Sequence, residues 1–321
     1  MRIGIIKLSS LGDIVVAMSF LPALKALEHQ VDWIIDSAFE EIAQNSPYID
    51  NLISLPLRSS IKAKNYRSLF AISQQLKQLH RYDLLIDMQG LLKSALIGSL
   101  IPKAVFKGFG FGSCKESLAS LFYSQKIHID YQENILKRNA TLLDLPIPSH
   151  PFPSAFGFTP QAKGKISSLL QTPHKKVLLL LEASKPTKMY PISHFHTLCQ
   201  SLKDEKITFF VLYHSKLTDA QTLCQYSQAT LLPKLNLDEI KALVSSVDAL
   251  IGGDTGITHL AWAMGTPSIT LYGNTPLERF KLHGSRHISL SGNRYANYDK
   301  KDFSISNISP LEIKKHLLEI L

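Results

Sequence analysis

The sequence predicts an α/β protein built from two doubly wound domains that face a central cleft. Short aliphatic or β-branched runs alternate with amphipathic stretches along the whole chain, the pattern of parallel strands joined by crossover helices. That alternation is broken once, near the middle, by a proline-dense segment. At roughly 150 residues per domain, 321 residues divide naturally in two.

In the first half, RIGIIKL (2–8), VDWIID (31–36), NLISLPL (51–57), DLLIDMQ (83–89) and VFKGFG (105–110) read as strands. Several are apolar throughout, as buried parallel strands are. Helical spacing falls near 14–28, 37–45, 66–80 and 91–100. LPIPSHPFPSAFGFTP (145–160) gathers Pro146, Pro148, Pro151, Pro153 and Pro160. Such a segment makes a semi-rigid connection, and the boundary is expected between residues 150 and 151.

The second half repeats the alternation without repeating the sequence. KVLLLLEA (176–183), ITFFVLY (207–213), ATLLP (229–233), DALIGGD (248–254) and SITLYG (268–273) read as strands, with helices near 193–203, 217–227, 236–246 and 256–264. The chain closes with ISPLEIKKHLLEIL, where Ser309 stands as an N-cap and Pro310 at the first helical position.

Hydrophobic residues at 45% and charged residues at 19% are those of an ordinary globular protein, and the mean hydropathy of +0.04 is too low for a multi-span membrane protein. Ser9, Ser10, Gly12 and Asp13 interrupt the first apolar run, so it does not read as a signal peptide. Elsewhere no window offers the ~18 apolar residues of a membrane helix. Cys114, Cys199 and Cys224 have neither the number nor the spacing of a disulfide framework or zinc site, and the chain reads as cytoplasmic. The 35 Lys and Arg against 26 Asp and Glu leave +9. That excess favours an anionic partner, although a basic surface that serves only solubility accounts for it too.

Ligands of open α/β sheets sit beyond the carboxyl ends of the strands, which directs attention to four stretches. SSLGD (9–13) follows the first strand: Gly12 permits a sharp turn and Asp13 enters the first helical turn, where a simple helix-dipole acid would also stand. GGDTGITHLAWAMGTP (252–267) ends a strand in two glycines and opens a helix at Asp254, Thr255 and Gly256, with Thr258 and His259 in its first turn. Free amides there suit a phosphate; the plain reading is an N-cap and a packed histidine. EASKPTKMYP (182–191) brings Ser184, Lys185, Thr187 and Lys188 to another strand end, where lysine suits a departing diphosphate. LRSSIKAKNYR (57–67) gathers Arg58, Lys62, Lys64 and Arg67, either a solvated face or a seat for an anionic acceptor.

Other signals are missing. There is no GxxxxGK[ST] loop and no GxSxG elbow, and the glycines of GFGFG (108–112) lack the GxGxxG spacing. His194 and His196 lack further ligands at useful spacing, so no metal is expected.

Taken together, KLSSLGDIV (7–15), YDLLIDMQGLLKSALIG (82–98), KESLASLFYSQKIHI (115–129), KMYP (188–191) and GGDTGITHLAWAMGTPSITLYG (252–273) resemble the lipopolysaccharide heptosyltransferases of glycosyltransferase family nine. The two-serine SSLGD form is similar to the first enzyme of that group rather than the second. The resemblance implies a glycosyltransferase B fold of two Rossmann-like domains, with the acceptor on residues 1–150, the donor on 151–321, and a terminal helix from about 309 crossing back to the first domain. It implies an inverting enzyme that moves L-glycero-D-manno-heptose from ADP-heptose, a substrate, to a Kdo residue of Kdo-lipid A, without a cofactor or metal. Its implied location is the cytoplasmic, anionic surface of the inner membrane.

Carried over by position, Asp13 matches the general base, with Ser9, Ser10 and Gly12 shaping the turn that presents it. Gln89, Lys93 and Lys115 fall on the acceptor side with Arg58, Lys62 and Lys64; relatives can have Arg at the Lys115 position. The donor set is Ser184, Lys188, Asp254, Thr255, Gly256 and His259, with Asp219 the weak substitute for a ribose-binding glutamate that YHSKLTDAQ (213–221) lacks. The alternatives are heptosyltransferase II or III, another nucleotide-sugar transferase of this fold, and, from a different class, a nucleotide- or nucleic-acid-binding module. The last would explain +9, but clustered aromatics and recognition motifs are missing, and no nucleic acid partner is expected.

Overall fold

The computed structural model describes residues 1–150 and 152–321; Pro151, one of the linker prolines, lies outside them. The chain forms two compact units, Met1–Pro148 with Pro153–Gly157, and Ser149–Phe152 with Phe158–Leu321. Where one boundary at 150/151 was expected, the chain passes between units more than once. His150 stacks on His287 at 4.6 Å and meets Trp262 edge-on at 5.3 Å, tying its segment to the second unit. Gly157 belongs to the first: a Cβ there would lie 1.9 Å from the Asn45 carbonyl oxygen.

The first unit runs β1 (Arg2–Ile6), α1 (Leu11–Met18), α2 (Leu21–Ala26), β2 (Gln30–Asp36), α3 (Glu40–Ala43), β3 (Asn51–Leu55), α4 (Leu57–Lys62), α5 (Tyr66–Lys77), β4 (Tyr82–Asp87), α6 (Leu92–Leu100), β5 (Lys103–Phe109), β6 (Gln125–Ile127) and α7 (Ile135–Leu143). Its strands form one parallel sheet in the order β3-β2-β1-β4-β5-β6. The second unit runs α8 (Pro160–Leu169), β7 (Lys175–Leu180), α9 (Ile192–Ser201), β8 (Ile207–Leu212), α10 (Leu217–Ser227), β9 (Thr230–Leu231), α11 (Leu237–Ser246), β10 (Ala249–Gly253), α12 (Gly256–Ala263), β11 (Ser268–Tyr272), α13 (Leu277–Phe280), β12 (His287–Ser291) and α14 (Pro310–Ile320). Its sheet, β12-β11-β10-β7-β8-β9, has the same winding. In each, consecutive strands first proceed to one side and then return to start beside the first strand. The carboxyl ends of that central pair, β1 and β4 or β7 and β10, make the switch point at which such sheets bind ligands.

Local chemistry explains where elements depart from expectation. The single helix expected over 14–28 is two, because Pro22 has no N–H to continue α1 and sits instead in the first turn of α2. The segment 37–45 holds only a 3-10 turn, Ser37–Phe39, and the short α3. Strand β9 is two residues long, with Pro233 just beyond it. The edge strands β6 and β12 and the helices α4, α7 and α8 were not anticipated from pattern.

Ser309 caps α14 as expected, its Oγ accepting from Leu311 N at 3.2 Å with Pro310 at the first helical position. The helix packs within the second unit. Its apolar face, Ile313, Leu317 and Ile320, lies in the second unit's core with Phe195, Leu198 and Ile305, because burying that stripe beside α9 completes the cover of the sheet.

Candidate functional site

At the first unit's switch point, the turn after β4 reaches across to the turn after β1. Gln89 Oε1 accepts from both Leu8 N and Ser9 N at 3.1 Å. The Gln89 turn is itself fixed from below. Buried Asp87 accepts from Gln89 N at 2.8 Å, Gly90 N at 3.2 Å and the Tyr123 hydroxyl at 2.8 Å. Burial pushes the Asp87 pKa up against those hydrogen bonds. Gly90 is required there, with φ at +66° and Cys114 Cβ 3.0 Å from where its own Cβ would stand.

Ser10 is the N-cap of α1, and Asp13 is the third residue of that helix. One carboxylate oxygen of Asp13, Oδ2, accepts from Ser10 N at 3.2 Å and Ser10 Oγ at 2.7 Å. Oδ1 takes no hydrogen bond among the described residues. The carboxylate is thus oriented through one oxygen, and the other stays open among the described residues. Lys7 is buried beneath, donating to Met88 O at 2.8 Å. Desolvation lowers its pKa, while the Asp13 and Asp87 carboxylates act in the opposite direction.

The remaining candidates of this unit lie along the same carboxyl edge but are not all gathered at one point. Arg58 N donates to Asp36 Oδ2 at 2.8 Å where β2 and β3 end. Asp36, Ser37, Ala38, Arg58, Ser59 and Lys62 line a depression of about 350 Å³ there, which Lys64 does not line. Lys93 is exposed on the first turn of α6; Lys115 is exposed after β5. Between them Glu116 Oε2 accepts from Leu92 N at 2.7 Å and caps α6.

In the second unit the switch point joins residues from both sides. Asp254, buried after β10, pairs through Oδ2 with Lys188 Nζ from the loop after β7, and through Oδ1 with His259 Nε2 at 3.0 Å. Burial acts to raise the Asp254 pKa, but His259 and Lys188 outweigh it and hold the carboxyl well below its ordinary value. Thr255 caps α12, its amide donating to Thr258 Oγ1 at 3.0 Å. The helix leaves the first amides, those of Gly256 and Ile257, without intrahelical acceptors. Buried His259 Nδ1 also lacks a partner among the described residues. Amides, an ammonium and an imidazole together offer an anion several donors in one small region.

Ser184 and Lys185 are exposed at the same strand end. Asp219 lies apart on α10, 3.4 Å from Lys216. The carboxylate at this edge is instead Glu182, which the sequence reading passed over within EASKPTKMYP. It accepts from His214 N at 2.7 Å, Ser215 N at 2.8 Å, Lys216 N at 2.9 Å and Ser215 Oγ at 2.5 Å. Desolvation opposes ionisation, yet these bonds bring its pKa down to about 2. Lys7 was also passed over; a lysine directly after an apolar strand was its signal. Another depression, about 490 Å³ and lined by residues including His174, Lys175, Lys206 and Asp248, lies at the amino edge of this sheet, away from these side chains. Among the described residues, no group of three or more His, Cys, Asp or Glu is disposed to hold a metal ion.

Two six-stranded parallel sheets of the same winding, each with polar groups at its switch point, have the fold of a B-type glycosyltransferase. The E. coli heptosyltransferase WaaC solved with ADP-2-deoxy-2-fluoro heptose matches with a TM-score of 0.79 over 100% of both chains at 24% identity. A family 9 glycosyltransferase of Veillonella parvula matches at 0.82, covering 99% of this chain and 96% of that one at 18% identity.

Residues 69–308 match the model for glycosyltransferase family 9 (heptosyltransferase). Lipopolysaccharide heptosyltransferase 1 of Campylobacter coli is 33% identical, spanning 100% of this chain and 99% of its own. Its Escherichia coli K12 counterpart is 27% identical over 86% of this chain and 88% of its own. The chain belongs to glycosyltransferase family 9, and it is a glycosyltransferase.

Proposed function

We propose that the protein is an inverting heptosyltransferase of lipopolysaccharide core synthesis that moves L-glycero-D-manno-heptose from ADP-heptose to a Kdo residue of Kdo-lipid A. The observation that carries the reading is Asp13, held through Oδ2 by Ser10 with Oδ1 open. A sugar hydroxyl is a weak nucleophile, and a fixed carboxylate takes its proton as the new bond to the anomeric carbon forms. The bond from that carbon to the β-phosphate oxygen breaks, and ADP leaves with the electron pair.

Lys188 and the first amides of α12 meet the departing diphosphate, while His259 and Asp254 hold the sugar-phosphate end. Thr255 and Gly256 shape that helix start, and Ser184 lies beside it. Glu182 replaces Asp219 as the candidate for the nucleoside end, because it is the carboxylate just beyond β7 that is fixed by the amides following β8. Arg58, Lys62, Lys64, Gln89, Lys93 and Lys115 serve the anionic acceptor. In this reading the step uses no metal or cofactor, and Lys188 with the α12 amides faces the departing charge.

The acceptor is a membrane lipid, and the protein works as a peripheral protein at the anionic cytoplasmic face of the inner membrane. The net charge of +9 supports that location. Among the described residues no helix is long and apolar enough to cross a bilayer.

The test is incubation with ADP-heptose and Kdo-lipid A, followed by mass spectrometry of the lipid. Addition of one heptose to Kdo-lipid A supports the reading. Addition only to an acceptor that already carries heptose would assign the second or third enzyme of the pathway instead, and no addition to either would reject it.

A further inference from the structure

Most of the excess positive charge lies in one stretch of the first unit. Residues 51–129 hold eleven Lys and Arg but only three Asp and Glu, Asp83, Asp87 and Glu116. Asp87 is buried, and Glu116 is engaged as the cap of α6. The helices of this stretch lie side by side, with α4 on α5, α5 on α6, and α6 on a 3-10 helix at Ser117–Phe122.

That last helix is inside out. Ala119 and Ser120 are buried, whereas Leu118, Leu121 and Phe122 are 57%, 71% and 37% exposed. An ordinary surface helix would turn those three inward. Along the same row of helices Leu96 on α6, and Tyr66 and Phe70 one turn apart on α5, are exposed as well, and so is Phe111 in the loop that leads to the 3-10 helix. Arg58, Lys62, Lys64, Arg67, Lys93 and Lys115 are exposed among them. Large exposed apolar side chains grouped this way mark an interaction site.

We propose that this face of the first unit docks on an anionic lipid bilayer. Leu118, Leu121, Phe122 and Phe111 enter the boundary between headgroups and acyl chains, and the lysines and arginines meet the headgroup phosphates. Charge selects the occupant, since a second copy would set these six exposed cations against six like charges. The inference rests on the membrane location proposed above and assigns the surface responsible. It places the bilayer in the unit proposed to bind the lipid acceptor.

The test uses the full chain and vesicles free of donor and acceptor, so its result is separate from the transfer reaction. Vesicles rich in phosphatidylglycerol should retain the protein about tenfold or more better than phosphatidylcholine vesicles, with retention falling as salt rises. The triple variant Leu118→Ser, Leu121→Ser, Phe122→Ser should lose about tenfold or more in retention. These positions are exposed, so its circular dichroism and its turnover of a soluble, deacylated acceptor should match the parent's. Equal retention on both vesicle types, or undiminished retention of the variant, would overturn the proposal. So would a dimer or acidic-protein complex that the triple variant abolishes without affecting vesicle binding. Failed heptose transfer with intact vesicle binding would reject the enzymatic reading and leave this one standing.

Discussion

Lys188 and Asp254, 66 residues apart, form an ion pair that closes the switch point of the second sheet. The carboxylate is shared with His259, so one buried anion orients two cationic or hydrogen-bonding groups near the start of α12. A donor diphosphate would be a second anion for those groups, and the pair keeps them placed before it arrives.

Lys188→Met is therefore expected to weaken ADP binding roughly ten- to hundredfold, the equivalent of one hydrogen bond to a charged group at about 1.5–3 kcal/mol. It should also lower thermal stability, because Asp254 remains buried with one partner fewer. Adding Asp254→Asn to Lys188→Met should recover part of the stability and none of the affinity. Calorimetric titration with ADP and thermal melts give both readings, and an unchanged dissociation constant would remove Lys188 from the donor set.

Asp13→Asn preserves an oxygen able to accept from Ser10, so the start of α1 should survive. Turnover should fall by about 10²–10⁴, the usual worth of a general base, with ADP affinity unchanged. Near-normal turnover would show that the carboxylate serves only the helix.

Glu182→Gln should alter how stability depends on pH. The native pKa is about 2 against an ordinary 4.5, so the native state favours the ionised form. Its stabilising contribution is complete above about pH 4.5 and is lost as pH falls through about 2. The variant should be less stable than the parent near neutrality, and the difference should close toward pH 2. Urea midpoints across that range would measure it; a difference independent of pH would mean that packing, not ionisation, holds the His214–Lys216 turn.

Gly253→Ala should both destabilise the protein and weaken ADP binding. A Cβ at residue 253 would lie 2.0 Å from the Lys188 carbonyl oxygen, forcing the loop after β7, proposed above to meet the donor, to shift. By contrast, Gly164 in α8 has nothing within 4 Å of its Cβ position, and Gly164→Ala should stabilise by up to about 1 kcal/mol through helix propensity. Melting curves of the two variants should move in opposite directions.

Much of the architecture is legible locally. A parallel strand must be apolar wherever it is buried, and IGII of β1, VLLL of β7 and ALIGG of β10 announce themselves that way. The motifs at strand ends are legible too, because SSLGD and GGDTG each combine a strand stop, glycine and a helix start within a few residues. Short edge strands such as β6 have too few residues to display a period, and α4 was hidden in a basic run. The terminal helix shows its apolar stripe in the sequence, but not which core receives it.

Local pattern thus supplied the two alternating halves, their motifs and the family likeness. The strand order set Gln89 against Ser9 and Lys188 against Asp254, set Glu182 after β7 against the turn after β8, and turned Leu118 and Leu121 outward. Periodicity reports how a residue relates to its near neighbours in the chain. These pairings join residues some 30 to 80 positions apart, and the exposure of a side chain depends on which elements cover it, so both emerge from packing alone.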